Sequence, residues 1–440
     1  MSNKEYNITD EINEPPRRKR RGILFALRTL RGSFCKEIYQ WRGLLPFFCL
    51  PNLTRTAASG RVLNPAANKP QKAAILLLPA VFLLAVSCVG GSCGVYAGGD
   101  GGFKPASLSI ATWNVQALFD GQDDGIEYEE YRSANGWNDE KYLSRLNSIS
   151  KAISSIEKKG PDIIALIELE NEQVLDTLAQ DYLKDSAYRY SGFSGLPGYS
   201  LGTGILSRMP LTKMRSHSTN ANGSVLPRPV AEVWLEAEGQ EIVIFICHWK
   251  SKLGGDAGTE PLRRDAARVI LRRIKAIKQE NSSIPIIVLG DLNENYDEFN
   301  RHSGEIFCAL LPDSPEAAKL SGYELTDNQE QRGAQDFLIL STEKPPQSMF
   351  FSGAEGIFYT PWGNELEKGS YYYNGEWETI DHFLLNSAFF DSTGWEFKGA
   401  AVIDSEPFVN SKDEPSQYNT RTGSGLSDHL PLLLTLINKG

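Results

Sequence analysis

Between residues 107 and 438 the spacing of apolar positions switches repeatedly between the period of a strand and that of a helix. Leu108 to Thr112 reads as a strand. Leu143, Leu146, Ile149, Ile153 and Ile156 then recur at helical spacing, with Asp139 and Glu140 in the first turn and Gly160-Pro161 as a stop. Ile163 to Ile167 is a continuous apolar run. Val233, Leu235 and Ala237 alternate with Glu232, Glu236 and Glu238, the pattern of a strand with one wet face. Ile242 to Cys247 is apolar throughout. Leu262, Ala266, Val269, Ile270, Ile274 and Ile277 form a second helical stripe, with arginines on the opposite face. Ile284 to Leu289 predicts another buried strand, and Phe383 to Leu385 and Leu430 to Leu436 predict late ones.

Strands that are apolar on every position need cover on both faces. Two sheets packed on each other, with helices outside, supply it. The long polar stretches at 120–137 and 404–426 are expected to border a site.

Charge divides the chain. Residues 1–72 carry 14 Lys/Arg against 5 Asp/Glu, whereas the remainder is strongly acidic and brings the net charge to −10. An acidic body argues against tight non-specific nucleic-acid binding through a general positive field. It suits a site that recruits cations to meet a phosphate. Residues 1–72 lack periodicity and are expected to be poorly ordered. Residues 73–95 contain the apolar run Ala73 to Val86, preceded by Lys69 and Lys72. Fourteen residues suit a signal-peptide core better than a full span. Ala85-Val86-Ser87-Cys88 resembles a bacterial lipobox, with Cys88 as the residue to be lipidated. The basic arm in front, with RRKRRG at 17–22, fits a signal-anchor equally, because positive residues stay inside. Otherwise that stretch is a solvated charge run, or a translated region upstream of a non-Met start near residue 60. The membrane readings place everything after residue 95 outside the cytoplasm. Residues 96–106 read as a Gly-rich linker and 107–438 as one domain without internal repeats. Only Cys247 and Cys308 lie in that domain, and two buried thiols are expected rather than a disulfide framework.

Polar residues gather where the predicted strands stop: Asn114 after the first, Glu168 in ALIELEN, His248 in CHWKSK, Asp291 and Asn293 in VLGDLNEN, Asp381 in WETIDHFLLN, and Asp428-His429 in LSDHLP. Side chains at the ends of adjacent strands converge in space. Carboxylate and amide oxygens such as those of Glu168 and Asn114 suit Mg²⁺ or Mn²⁺. A neutral histidine held by a carboxylate, with His429 and Asp381 as candidates, can orient or deprotonate a water. Arg228 in LPRPV has the fork that matches phosphate oxygens. Taken singly, each has an ordinary explanation. An Asn after a strand is usually a turn residue, a Glu there is usually solvated, and Ser-Asp-His can cap a helix. Asp120, Asp123 and Asp124 in DGQDDG look like a calcium loop but lack its ligand spacing, so a solvated loop is the simpler reading.

The order of these motifs carries more than any one of them. Asn114 in ATWNV, Glu168, His248, Asp291 with Asn293, Asp381 and Asp428-His429 resemble the successive motifs of the endonuclease/exonuclease/phosphatase superfamily over residues 107–438. That resemblance implies an α+β fold, a four-layer α/β sandwich of two mixed β-sheets packed face to face and flanked by helices. It implies a Mg²⁺ or Mn²⁺ held near Asn114, Glu168 and Asp428, with Asp428 alternatively orienting His429. It implies that Asp291 positions the attacking water, that Asn293 contacts the phosphoryl group and that Asp381 holds the imidazole of His429. His248 matches a second acid–base group of the deoxyribonuclease-I-like branch, and Arg228 an arginine near the scissile phosphate. CHWKSKLGG and YYYNGEWETIDHFLLN resemble bacterial extracellular nucleases.

The expected activity is therefore hydrolysis of phosphodiester bonds, most naturally in nucleic acid, by an exported monomer that is membrane-associated through residues 73–95 or a lipidated Cys88. A phospholipid or inositol-phosphate phosphohydrolase is the alternative, because fold and centre do not select the substrate. Aromatic loops (Tyr128, Tyr131 and Trp137; Tyr371 to Tyr373 and Trp377) could touch lipid or stack on bases, and packing is their simplest role. A non-catalytic surface adhesin on the same fold is the third reading.

Overall fold

The computed structural model describes residues 59–62, 106–221, 224–304, 307–321, 336–344 and 356–440. The expectations for 73–95, and for most of 1–72 and 96–106, fall outside these residues. Within the described residues, the apolar runs condense into two large mixed sheets. The first contains β1 (Ser59–Val62), β2 (Ser107–Leu118), β3 (Ile163–Leu169), β4 (Tyr190–Ser194), β5 (Gly202–Ser207), β14 (Trp395–Val402) and β15 (Leu432–Asn438), in the order β1-β4-β5-β3-β2-β15-β14. The second contains β6 (Leu211–His217), β7 (Val230–Ala237), β8 (Gln240–His248), β9 (Ile286–Asp291), β10 (Leu310–Pro312), β11 (Leu338–Ser341), β12 (Ile357–Tyr359) and β13 (Asp381–Leu385), in the order β10-β11-β12-β13-β9-β8-β7-β6.

Alternation along the central strands divides the core. Leu108, Ile110, Ile163, Ala165, Ile167 and Ile205 pack into one cluster with the second sheet. Ala111, Trp113, Val115, Ile164 and Leu166 face the other way and pack with Leu146, Ile149 and Ile153 of helix α1 (Asp139–Ile156). Helix α2 (Asp256–Glu280) lays Ala266, Val269, Ile270, Ile274 and Ile277 on the second sheet. The result is the four-layer sandwich, with each central strand buried on both faces. Truncating a Leu or Ile there to Ala costs about 2–5 kcal/mol. Asn138 starts α1 by accepting a hydrogen bond from the Lys141 N–H at 3.0 Å. Cys247 and Cys308 are both buried.

Three details differ from the pattern reading. Leu143 is 45 % exposed, and Tyr142 takes its place in the buried stripe of α1. Glu232, expected on a wet face of β7, is fully buried. Arg273 reaches it at 2.6 Å, the His217 ring at 2.7 Å and the Trp234 indole at 2.7 Å. A charge can sit there only because each carboxylate oxygen is bonded. The arginines of α2 are accordingly not all on its outer face: Arg263 is buried and its Nε lies 3.0 Å from Glu294. Among the described residues no helix is long and apolar enough to cross a membrane.

Candidate active site

Strand direction brings the polar strand ends to one edge of the sandwich. β2 and β3 run parallel, as do β8 and β9, so Asn114, where the regular pairing of β2 with β3 breaks, lies on the same side as Glu168, His248 and Asp291 at the carboxyl ends of their strands. β13 runs antiparallel to β9 and β15 antiparallel to β2, so the beginnings of those strands arrive at the same edge. In the second sheet, Asp291 pairs with His248 on one side and with Asp381 on the other. Gly290 makes that approach possible. Its φ is +117°, and a Cβ there would lie 2.1 Å from the Cys247 carbonyl oxygen.

The two sheets meet at Asn114. Its amide nitrogen donates to Asp291 Oδ2 at 3.0 Å and to Glu168 Oε1 at 3.3 Å, and its Oδ1 accepts from the Gln116 N–H at 3.0 Å. Beyond Asn114 the register with β3 shifts. Gln116, Ala117 and Glu168 hold φ values of +54°, +52° and +72°. Left-handed backbone costs a non-glycine residue about 1–3 kcal/mol, so such residues persist only where the surroundings hold them. Here the kink turns the Ala117 N–H onto Glu168 Oε2 at 2.8 Å.

The His248 Nε2 lies 3.4 Å from Glu168 Oε1 and 3.7 Å from Asp291 Oδ2. Asn293, left-handed at φ +52°, donates its backbone N–H to Asp291 Oδ1 at 3.0 Å and its side-chain amide to the Trp249 carbonyl at 3.0 Å. Arg228 Nη1 bonds the same Trp249 carbonyl. His429 Nδ1 lies 2.8 Å from Asp381 Oδ2, which also accepts the Ser370 hydroxyl at 2.7 Å. The Ser427 hydroxyl accepts the His429 N–H and donates to the Asn114 carbonyl, tying the loop before β15 to β2. Asp428 is half-buried and acts on its neighbours through charge.

Electrostatics divide these groups. Burial raises the Glu168 pKa, and Asp428 raises it further against the opposing charge of Arg228. Burial also pushes Asp291 up to about 7, against His429 and with Asp381. His429 is opposed by burial, but the charge and hydrogen bond of Asp381, with Asp428 and Asp291, raise it to about 10. Burial, then Arg228 and His429, drive His248 well below the usual histidine range. One imidazole is thus held charged and the other neutral. The neutral state expected for His429 does not suit a ring facing three carboxylates.

Residues 109–319 match the model of the endonuclease/exonuclease/phosphatase family. Over those residues, 211 of its 440, the chain is similar to the endonuclease/exonuclease/phosphatase family. The matched residues contain Asn114, Glu168, Arg228, His248, Asp291 and Asn293. Asp381, Asp428 and His429 lie beyond them and are returned to the same edge by β13 and β15. Among solved structures the chain is similar to an endonuclease/exonuclease/phosphatase family protein of Bacteroides thetaiotaomicron, at 15 % identity and TM-score 0.42, over 76 % of this chain and 99 % of that one. It is also similar to D. rerio TDP2 complexed with single-strand DNA product, at 15 % identity and TM-score 0.42, over 75 % and 99 %. The human Nocturnin catalytic domain with bound sulfate is similar at 14 % identity and TM-score 0.41, over 75 % and 94 %. No curated protein sequence matches the chain.

The endonuclease/exonuclease/phosphatase centre fits a hard divalent cation. Glu168 keeps 19 % of its side chain exposed; the charge of Asp428 raises its pKa, and its own charge raises that of Asp291. Oxygen donors that repel one another accept such an ion readily.

This centre also uses residues that the sequence reading passed over. Arg145 of α1 is fully buried. Its Nη2 donates to the Val115 carbonyl and to the Gln116 carbonyl at 3.0 Å, and the guanidinium lies 3.6 Å from the Tyr418 ring centre. It fixes the kink that orients Ala117 and Glu168. An Arg next to the buried stripe of Tyr142, Leu146 and Ile149 was the available signal. Tyr371, already singled out by the sequence among the aromatic loops, places its ring 4.6 Å from that of His429 and stacks with Tyr373 at 6.1 Å. Ser370 and Ser427 give no signal in sequence.

Proposed function

We propose that this chain is a divalent-metal-dependent phosphoesterase, a nuclease that acts outside the cytoplasm and hydrolyses phosphodiester bonds by direct attack of water. The observation that carries the reading is the buried His429–Asp381 pair facing Glu168, Asp291 and His248 across Asn114. Glu168, with Asn114 and Asp428 beside it, would hold Mg²⁺ or Mn²⁺, which supplies charge stabilisation to the phosphoryl oxygens. Asp291 takes a proton from the attacking water as its oxygen bonds to phosphorus. His429, its Nδ1 fixed by Asp381, presents the other ring nitrogen to a phosphoryl oxygen. Asn293 and Arg228 steady the same group. His248, being neutral, steadies the departing oxygen with a hydrogen bond from Nε2–H, and the charged His429 gives that oxygen its proton as the P–O bond breaks.

Tyr371 beside His429, stacked with the 55 % exposed Tyr373, supports a nucleic-acid substrate, because successive bases stack on such rings. Tyr131 and Trp137 are buried and serve packing. The Ala73–Val86 run behind a basic arm supports placement outside the cytoplasm, as a lipoprotein on Cys88 or as a signal-anchored protein.

The test is supercoiled DNA incubated with the full chain, with and without Mg²⁺ or Mn²⁺, beside a His429→Ala control. Metal-dependent nicking that the control lacks is expected. Intact DNA together with hydrolysis of sphingomyelin liposomes or inositol phosphates would replace this reading with a phospholipid or inositol-phosphate phosphohydrolase.

A further inference from the structure

The loop that follows β2 carries a group of acidic residues that the catalytic centre does not use. Carboxylate oxygens of Asp124, Glu127 and Glu170 all lie within 4.8 Å of one another. Glu127 and Glu170 are only 3 % and 5 % exposed, while Asp124 stands at the surface. Among the described residues no Lys, Arg or His side chain forms an ion pair with any of the three. The nearby Arg132 guanidinium is engaged by the Glu127 main-chain carbonyl, at 3.2 and 3.3 Å.

Close carboxylates alone do not make a site. The second observation is an orphaned oxygen. Glu170 Oε2 accepts the Asp120 N–H at 2.7 Å. Its Oε1 is equally buried and has no hydrogen-bond partner among the described residues. Leaving a buried carboxylate oxygen unsatisfied is costly. A proton on Oε1 would bond one neighbouring carboxylate oxygen and leave the other carboxylate facing it. A cation satisfies all three groups at once. Glu127 is held in place for this by the Asp124 and Gly125 N–H groups, the latter at 2.9 Å from Oε2.

We propose that Asp124, Glu127 and Glu170 bind a structural hard divalent cation of the Ca²⁺ class, separate from the catalytic metal. The donors are all oxygen, three are carboxylates and they belong to a loop and a strand end, which suits the larger and geometrically tolerant Ca²⁺ better than Mg²⁺. The ion fastens the loop after β2 to the end of β3, two residues beyond Glu168. It also orders the approach to Tyr128, whose ring packs on Phe119 at 5.4 Å. Trp137 caps the arrangement by donating its indole N–H to the Asp120 carbonyl. The spacing of DGQDDG in sequence conceals the site because Glu170 follows β3, 46 residues beyond Asp124. The inference does not depend on which phosphoester is cleaved.

The test uses the full chain carrying Glu168→Gln, so that the catalytic centre is disabled as a metal site. Ca²⁺ alone is titrated while the thermal midpoint is followed, and Tb³⁺ luminescence excited through Trp137 is read in parallel. A Ca²⁺-dependent rise in midpoint is expected, together with Tb³⁺ emission that Ca²⁺ displaces. Adding Asp124→Asn should weaken Ca²⁺ about tenfold or more, and adding Glu127→Gln should do at least as much. Asp124 is exposed, so its variant folds even if that of the buried Glu127 does not. No Ca²⁺ response in the Glu168→Gln chain, or an equal response after Asp124→Asn, would overturn the proposal. Neither result bears on DNA nicking by the unaltered chain with Mg²⁺.

Discussion

His429 and Asp381 are 48 residues apart in sequence, yet Nδ1 of one lies 2.8 Å from Oδ2 of the other, in a buried setting. The pair bridges the sheets, because Asp381 opens β13 of the second and His429 precedes β15 of the first. Asp381→Asn keeps the shape and removes the charge. The His429 pKa should then fall from about 10 toward the ordinary histidine range, since the charge and hydrogen bond of Asp381 are the main groups raising it. Turnover should drop by about 10²–10⁴ with the fold retained. Imidazole NMR titration reads the first effect and single-turnover kinetics the second. A variant with unchanged turnover would remove His429 from the proposed chemistry.

Arg145 should matter more for stability than any surface arginine. Arg145→Met leaves the Val115 and Gln116 carbonyls without their donor and keeps the volume filled. The expected loss is about 3–5 kcal/mol in urea unfolding. The kink at Gln116 and Ala117 should loosen, weakening activation by Mg²⁺ beyond what the stability loss explains. Arg145→Lys should rescue little, because one ammonium group cannot reproduce the planar fork that lies on Tyr418.

Gly290 is the narrowest steric point of the centre. Gly290→Ala would push a methyl into the Cys247 carbonyl at a φ that an L-residue rarely adopts. The ends of β8 and β9 should part, separating His248 from Asp291. Both a lowered thermal midpoint and a loss of turnover exceeding that of a peripheral glycine variant are expected. Gly239→Ala is the matched control, with positive φ but open space around it.

The sequence exposed the centre better than the sheets around it. Asn114, Glu168, His248, Asp291, Asp381 and His429 each stand at a strand end, and the structure gathers them because strand direction does so. The buried runs of β3, β8 and β9 were legible because they are apolar on both faces. β5 was not, since Gly202-Thr203-Gly204 reads as a turn. Its glycines are there for space: a Cβ on Gly204 would lie 2.7 Å from a Leu169 methyl. β6 was missed because it is an edge strand with much of its length exposed. Glu232 and Arg145 were misjudged or missed for one shared reason. A charged residue in a periodic pattern is read as solvent-facing, and only distant partners such as Arg273, or carbonyls freed by a backbone kink, reveal it as core. Pairings that span more than forty residues have no local signature.

Acid unfolding should arrive in two separable ranges. His382 follows Asp381 in β13, is fully buried, and has its Nε2 2.8 Å from the Glu294 carbonyl. Burial lowers its pKa to about 4 from an ordinary 6.5. The unfolded chain therefore takes up a proton that the folded chain refuses, so stability falls as pH drops from about 6.5 to about 4, by on the order of 3 kcal/mol. Glu298, despite burial, is lowered to about 2 by Lys252 and by hydrogen bonds from Asn295. Its contribution is present above about 4.5 and is lost as pH falls toward about 2. His382→Gln can still donate to the Glu294 carbonyl but does not titrate. Urea unfolding of that variant should show a flattened slope between pH 6.5 and 4, with the steeper loss below pH 4.5 intact. Lys252→Met should do the reverse, raising the Glu298 pKa and erasing part of the lower range while leaving the upper one. An unchanged upper slope in His382→Gln would mean that this imidazole accepts its proton within the folded chain, and that β13 is looser beside Asp381 than its packing indicates.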